Sequence, residues 1–321
     1  MKWLFWLAMI LVALYTGTAH AYHCTFSKNN LQFGVYDPFS SSPNDTTSSI
    51  VVTCTSQNND NGLAFTVNFT VNFTPGNSGT ATQEYMLNND TPQVQMNYNI
   101  YADPAHTLIL GPGYNQISGS ITVPAGSSGT SNSETFTVYG EVPAHLTTLT
   151  SGANPYADTL TALLSYLDQN GNPATNGPKN INVRANVQGS CASVTAGDVA
   201  FGTLDPSTVN SNEVVTSNVT VNCTNGTPFG VVMDAGLHAA TPGDTTTRRM
   251  MDTTGDFLPY HLCTDSLCAN EIGADLTGAY ITGTGVSGSQ SVVFYGMVKL
   301  SDLQVAPAGN YSDTVTVTLI Y

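Results

Sequence analysis

The chain repeats itself, and the repeat is built around cysteine. Cys24 is followed by Leu31-Gln32-Phe33-Gly34-Val35-Tyr36-Asp37-Pro38 and then by Ile50-Val51-Val52-Thr53-Cys54-Thr55. Cys191 is followed by Val199-Ala200-Phe201-Gly202-Thr203-Leu204-Asp205-Pro206 and then by Val219-Thr220-Val221-Asn222-Cys223-Thr224. The shared frame is Cys…Phe-Gly-x-x-Asp-Pro…Cys-Thr. Three later pairs keep the same order: Tyr98–Asp103 with Tyr260–Asp265, Tyr139-Gly140 with Tyr295-Gly296, and Asn154–Thr159 with Gly309–Thr314. Matches in one conserved order imply two homologous domains. Six cysteines allow 15 pairings; the repeat selects Cys24–Cys54, Cys191–Cys223 and Cys263–Cys268.

Each domain reads as all-β. Phe65–Phe73 and Val315–Leu319 alternate apolar and polar residues in Thr- and Val-rich sequence, the pattern of half-buried strands. Gly, Pro, Asn and Ser clusters punctuate such runs at short intervals, which fits a β-sandwich. Leu160–Leu167 resembles a helix in isolation, but its counterpart Val315–Ile320 is a strand pattern, so it is read as a strand as well.

Composition removes several functions. The 321 residues carry only 7 Lys+Arg against 22 Asp+Glu, a net charge of −15. Nothing here neutralises a row of phosphates or docks on anionic lipid. Lys2, the apolar run Trp3–Tyr15 and Ala19-His20-Ala21 read as a cleaved export signal over residues 1–21. An even cysteine count suits an exported, disulfide-bonded chain. The histidines lack metal-ligand spacing, so no metal and no cofactor is expected. Gly283–Gly288 matches GxGxxG but precedes a strand where a helix is required. There is no G-x-S-x-G elbow, and an enzyme is not expected. Asp37 and Asp205 recur before Pro and are read as turn residues. The basic pair Arg248-Arg249 is either a partner contact or solvated loop charge.

The two domains, 22–190 and 191–321, finish differently. Beyond Thr159–Leu167 the chain turns through Asp168–Pro173 and offers another alternating strand, Ile181–Gln188. Beyond Val315–Ile320 it offers none. An immunoglobulin-like sandwich usually needs seven strands, so the second domain is expected to carry an open groove with an unpaired edge at Val315, Val317 and Leu319. Such an edge invites another chain to pair. The alternatives are a complete six-strand variant, or a last strand supplied from elsewhere in the chain.

The frame, with Tyr-x-Leu/Ile-x-x-Asp, Tyr-Gly and Gly-x-Tyr-x-Asp-Thr-Val, resembles spore coat protein U domains, the pilin domains of archaic (Csu-type) chaperone–usher pili. The resemblance covers nearly all of residues 24–321. It implies two pilin-type sandwiches, the C-terminal one lacking its last strand. It also implies three partners: a periplasmic chaperone, an outer-membrane usher, and an adjacent pilin subunit that donates a strand. Only Tyr22 and His23 would precede Cys24 after cleavage, leaving no donor strand to offer. The expected role is therefore a tip adhesin at the cell surface, attaching cells to abiotic or host surfaces during biofilm formation. Two other roles stay open: a structural coat or minor pilin subunit without receptor activity, and a glycan-binding adhesin.

Counting strands in alternation places Ser56–Gly62, Ala102–Ser118 and Asp168–Lys179 at the pole of the first domain where Ile181–Gln188 begins. The middle segment holds Leu108, Ile109, Leu110, Pro112 and Tyr114. Where family members often resemble Trp-Gly-Asp-Gly, Leu110 and Pro112 stand at the Trp and Asp positions, a departure toward apolar character. These five residues are the expected surface-binding finger, since exposed apolar patches mark interaction sites. The competing reading is a core strand within Leu108–Leu110, with alternate residues buried. Secondary candidates are Tyr36, Phe39, Val142 and Leu146; the last two have a counterpart in Val298–Leu303, which suggests a shared structural connection.

Overall fold

Alternation of buried and exposed residues sets nearly every element of the fold. The computed structural model describes residues 22–57, 63–152 and 154–321. The expected leader and most of the connection Ser56–Gly62 lie outside the described residues. The first repeat forms β1 (Tyr22–Lys28), β2 (Leu31–Tyr36), β3 (Asn44–Ser56), β4 (Phe65–Thr74), β5 (Glu84–Leu87), β6 (Gln95–Tyr101), β7 (Ile117–Val123), β8 (Ser131–Val142), β9 (Tyr156–Leu167) and β10 (Pro173–Val187). The second forms β11 (Cys191–Ala196), β12 (Glu213–Cys223), β13 (Pro228–Met233), β14 (Arg249–Met251), β15 (Phe257–Pro259), β16 (His261–Cys263), β17 (Ile281–Thr284), β18 (Ser289–Val298) and β19 (Val317–Ile320). The helical turn Leu300–Leu303 and the 3-10 turn Thr245–Thr247 are the helical elements among the described residues. Gly283–Gly288 lies at the β17–β18 connection, as its flanking strand pattern requires.

In the first sandwich one face runs β1-β3-β8-β6 and the other runs through β7-β4-β9-β10-β2. β5 links them, pairing with β6 and, through Leu87 and Ala157, with β9. The second sandwich repeats both faces as β11-β12-β18-β16 and β17-β13-β19. The repeat therefore maps strand for strand, with one exception. The places of β10 and of its partner β2 have no strand, and residues 197–204 run without regular structure.

Leu160–Leu167 is part of a strand, as its repeat partner indicated. β10 is longer than the expected Ile181–Gln188, starting at Pro173. β19 begins at Val317 rather than Val315 and, among the described residues, pairs with β13 alone. Cys24–Cys54, Cys191–Cys223 and Cys263–Cys268 are all paired. The first two tie the opening strand of each sandwich to its sheet neighbour, β1 to β3 and β11 to β12, in register.

By compactness the chain divides into two units. Unit 1 holds the residues up to Gly34, Ser42–Pro143 and Pro155–Ala185; unit 2 holds Val35–Ser41, Ala144–Asn154 and Asn186–Tyr321. The core of unit 2 gathers Val219, Val221, Phe229, Val231, Leu262 and Phe294. In unit 1, Phe26, Ile50, Val52, Val67, Phe69 and Ile100 do the same. Burial of side chains of this size contributes about 1.5–3 kcal/mol each.

Candidate functional site

The residues that recur between the repeats are mostly structural. Tyr98 Oη donates to Asp158 Oδ2 at 2.8 Å, and Tyr260 Oη donates to Asp313 Oδ2 at 2.7 Å. Burial first, then the neighbouring carboxylate, pushes the Tyr98 hydroxyl far above its usual value, so it stays a donor. Each Asp also accepts a loop amide, that of Asn77 at 2.9 Å and that of Leu237 at 3.0 Å. A Cβ at Gly76 or Gly236 would sit 2.0 Å from the carboxylate, so the approach demands glycine. Asp37 and Asp205 accept the amides of Phe39 and Ser207, as turn residues do.

Repeat-matched positions differ systematically in burial. In unit 1, Leu31 and Phe33 of β2 and Leu160, Ala162 and Leu164 of β9 are all buried. β10 lies between those strands, and its Ile181, Val183 and Ala185 turn inward and are buried too. In unit 2 the matching residues Val199, Phe201, Val315, Val317 and Leu319 are only half-buried. Val199, Phe201, Val315 and Val317 line a groove of about 330 Å³. Its floor includes Phe294, Leu262 and Met233 from the core. β19 is the edge of its sheet, with β13 on one side. The groove is thus a trough with an apolar floor and a polar rim at Asp198, Ser312 and Asp313, flanked by the open edge of β19, the geometry that accepts an added strand.

The segment between β6 and β7 departs from expectation. Tyr101, the last residue of β6, pairs with Tyr139, and Ile117, the first of β7, pairs with Val71; both partners stand several residues from the pole-side strand ends Ser131 and Phe65, so the segment crosses the body of the sandwich. The pole where β10 begins instead carries the end of β3 at Ser56, the start of β4 at Phe65, and the connections 124–130 and 168–172. Within the crossing segment Leu108 is 46% and Tyr114 55% exposed; Pro112 is exposed and Ile109 half-buried. Leu110 is 0% exposed and cannot touch an external surface. The reason is again the repeat. The Leu110 amide donates to Ile100 O at 3.0 Å, as that of Ile272 does to Leu262 O at 2.8 Å, and Ile272 is equally buried. Counting from Tyr98 and Tyr260 would have aligned the two in the sequence.

Among the secondary candidates, Tyr36 and Val142 are buried, while Phe39 and Leu146 are half-buried. Tyr36 Oη accepts the Leu146 amide at 3.0 Å, a structural bond. Val142 is matched by the buried Val298, in keeping with a shared connection. Arg248 fits neither reading of the basic pair. It is buried and donates to the carbonyls of Met233, Asp234 and Ile272 at 2.7–2.9 Å, which fixes three loop ends.

Sequence reading missed two groupings. At the β10-start pole, Tyr22 stacks on Phe65 with centroids 5.0 Å apart and lies 6.4 Å from Tyr166. Exposed Leu63 and Leu167 flank this aromatic cluster in sequence. Separately, Asp45, His106 and Glu141 place one ligand atom each within 4.8 Å of one another.

The family model of the Spore Coat Protein U domain matches residues 10–163 and 178–318, so the chain belongs to that family. The comparison with curated proteins finds no match. Among solved structures it is similar to the CsuC–CsuE chaperone–tip adhesion subunit pre-assembly complex from archaic chaperone–usher Csu pili of Acinetobacter baumannii. That match has 16% identity and a TM-score of 0.46 and covers 92% of this chain and 100% of that one. The CupB6 tip adhesin of Pseudomonas aeruginosa gives 13% identity and a TM-score of 0.36, covering 94% of each chain. CfaE, the adhesive subunit of CFA/I fimbria of enterotoxigenic Escherichia coli, gives 10% and 0.36, covering 91% of each.

Proposed function

We propose that this protein is a non-enzymatic pilus adhesin. On this reading unit 1 contacts a surface, and unit 2 joins the fibre by accepting a strand donated by an adjacent pilin subunit. A periplasmic chaperone fills the same groove first, an outer-membrane usher handles assembly, and the protein ends at the pilus tip, promoting biofilm formation. The observation that carries the reading is the contrast between two homologous grooves. β10 closes the first within the chain, while the second is open beside the edge of β19. Membership of the family supports the same reading.

The surface contact is assigned to the exposed part of the crossing segment, Leu108, Pro112 and Tyr114 with Ile109 beside them, acting on hydrophobic or abiotic surfaces. A second contact face is favoured by the aromatic cluster at the β10-start pole, where Leu63 and Leu167 are each 54% exposed.

A peptide of residues 179–188 tests the strand-accepting role, because it carries the inward pattern that closes the homologous groove. Added to the full chain, it is expected to bind and to raise the unfolding temperature of unit 2, since a ligand selective for the folded state stabilises it. A scrambled peptide is expected to do neither. A unit 2 that melts cooperatively and ignores both peptides overturns the reading.

A further inference from the structure

The crossing segment of each unit is pinned to the outer face of its sheet, by different chemistry. In unit 2 the pin is the disulfide Cys263–Cys268. In unit 1 the same two places hold Tyr101 and His106, whose rings stack at 4.8 Å. The correspondence is local and close. His106 and Cys268 both have φ of +55° and both donate a backbone N–H to the Asp three residues earlier, at 3.2 and 3.0 Å. The amides of Ala102 and Thr264 then donate to the carbonyls of Leu108 and Asn270 at 2.9 and 3.0 Å.

His106 faces two sheet carboxylates where unit 2 has none on its strands and instead sets His261 of β16 2.7 Å from Glu271 of its own crossing segment. Asp45 of β3, Glu141 of β8 and Asn99 of β6 are direct cross-strand neighbours. Inward positions on these strands are Ile50 and Val52, Val138 and Val142, and Tyr98 and Ile100, so strand alternation puts the polar row on the outer face. Two carboxylates directly opposite each other repel. The matching row in unit 2 reads Val214, Met297 and His261, with no carboxylate. His106 Nδ1 stands 2.8 Å from Glu141 Oε2 and 4.0 Å from Asp45 Oδ1. Asn99 Oδ1, beside Glu141 in the register, is buried and accepts no hydrogen bond.

We propose that Asp45, His106 and Glu141 bind one divalent cation of the zinc class, which pins the crossing segment of unit 1 as the disulfide pins that of unit 2. One imidazole and two carboxylates are a donor set that suits zinc, and their two negative charges neutralise it. The imidazole between the carboxylates gives up its contact with Glu141 and ligates through Nδ1, with its proton on Nε2. The Asn99 carbonyl or a water completes a four-coordinate shell. This site is independent of the adhesive role.

The test is calorimetric titration of Zn²⁺ into the metal-free, disulfide-intact full chain. One saturable equivalent is expected, with a rise in the unfolding temperature of unit 1. Glu141→Gln keeps a hydrogen-bond acceptor for His106 while removing a charged ligand. It and His106→Ala are each expected to weaken Zn²⁺ binding at least about tenfold, with their metal-free melting compared as a folding control. Absence of a saturable equivalent, or Zn²⁺ binding by Glu141→Gln equal to that of the wild type, would overturn the site and leave an ordinary His–carboxylate contact. Uptake of Ca²⁺ with indifference to Zn²⁺ overturns the assigned metal class.

Discussion

Single side chains separate packing from contact in the crossing segment. Leu110→Ala opens a cavity in a closed core and is expected to cost about 2–5 kcal/mol of stability. Leu108→Ser with Tyr114→Ser removes exposed groups and is expected to shift stability by no more than about 0.5 kcal/mol per site. If the segment makes the surface contact, the double serine variant loses adhesion to hydrophobic beads several-fold at unchanged melting temperature. Retained adhesion moves the contact to the Leu63–Leu167 pole. Glu84 gives a pH signature. It is buried, accepts the Ser78 hydroxyl at 2.9 Å, and its carboxyl is pushed up from 4.5 to about 7, by burial first. The folded state therefore holds this proton more tightly than the unfolded state. Its contribution is full below pH 4.5 and is lost as pH rises through about 7. Glu84→Gln is expected to be more stable than the wild type by about 2 kcal/mol at pH 8. The advantage should vanish at pH 4, and denaturant unfolding at both values checks it.

At the scale of elements, one strand decides what each sandwich can do. β10 lies between β9 and β2 and buries Ile181, Val183 and Ala185. Without such a strand in unit 2, residues 197–204 leave the sheet, β19 shortens to Val317–Ile320, and Val199 and Phe201 stay half-buried. The peptide experiment works at this scale because main-chain pairing supplies affinity while alternate side-chain pockets supply register. The strands themselves were legible in the sequence, since period-2 alternation survives in β4, β9 and β19 almost unbroken. The boundaries were less so. Pro173 to Asn180 carries no clean alternation, yet it pairs along β9, because an antiparallel neighbour can extend a strand that pattern alone does not announce.

At the scale of the whole molecule, the repeat predicts an asymmetric part: one sandwich closed within its own chain and one that accepts a strand from outside. Immunogold labelling of the protein on assembled fibres is the direct check. Label confined to fibre ends is the outcome expected of a tip subunit; label distributed along the shaft would instead support a structural pilin. The net charge of −15 sets no fold, but it disfavours attachment to anionic surfaces through charge.

Fold class, disulfide pairing and the unmatched strand were readable from the residues alone, because those properties repeat at fixed offsets and each copy checks the other. The tertiary structure decided which side of each strand and loop reaches solvent. It moved Leu110, Tyr36, Val142 and Arg248 into the interior and carried the crossing segment away from the pole. It also brought Asp45, His106 and Glu141 together from three separate stretches of chain. Linear spacing is blind to such groupings. They arise from cross-strand register and from a loop folding back over a sheet, and both are set only when the two faces close on their core.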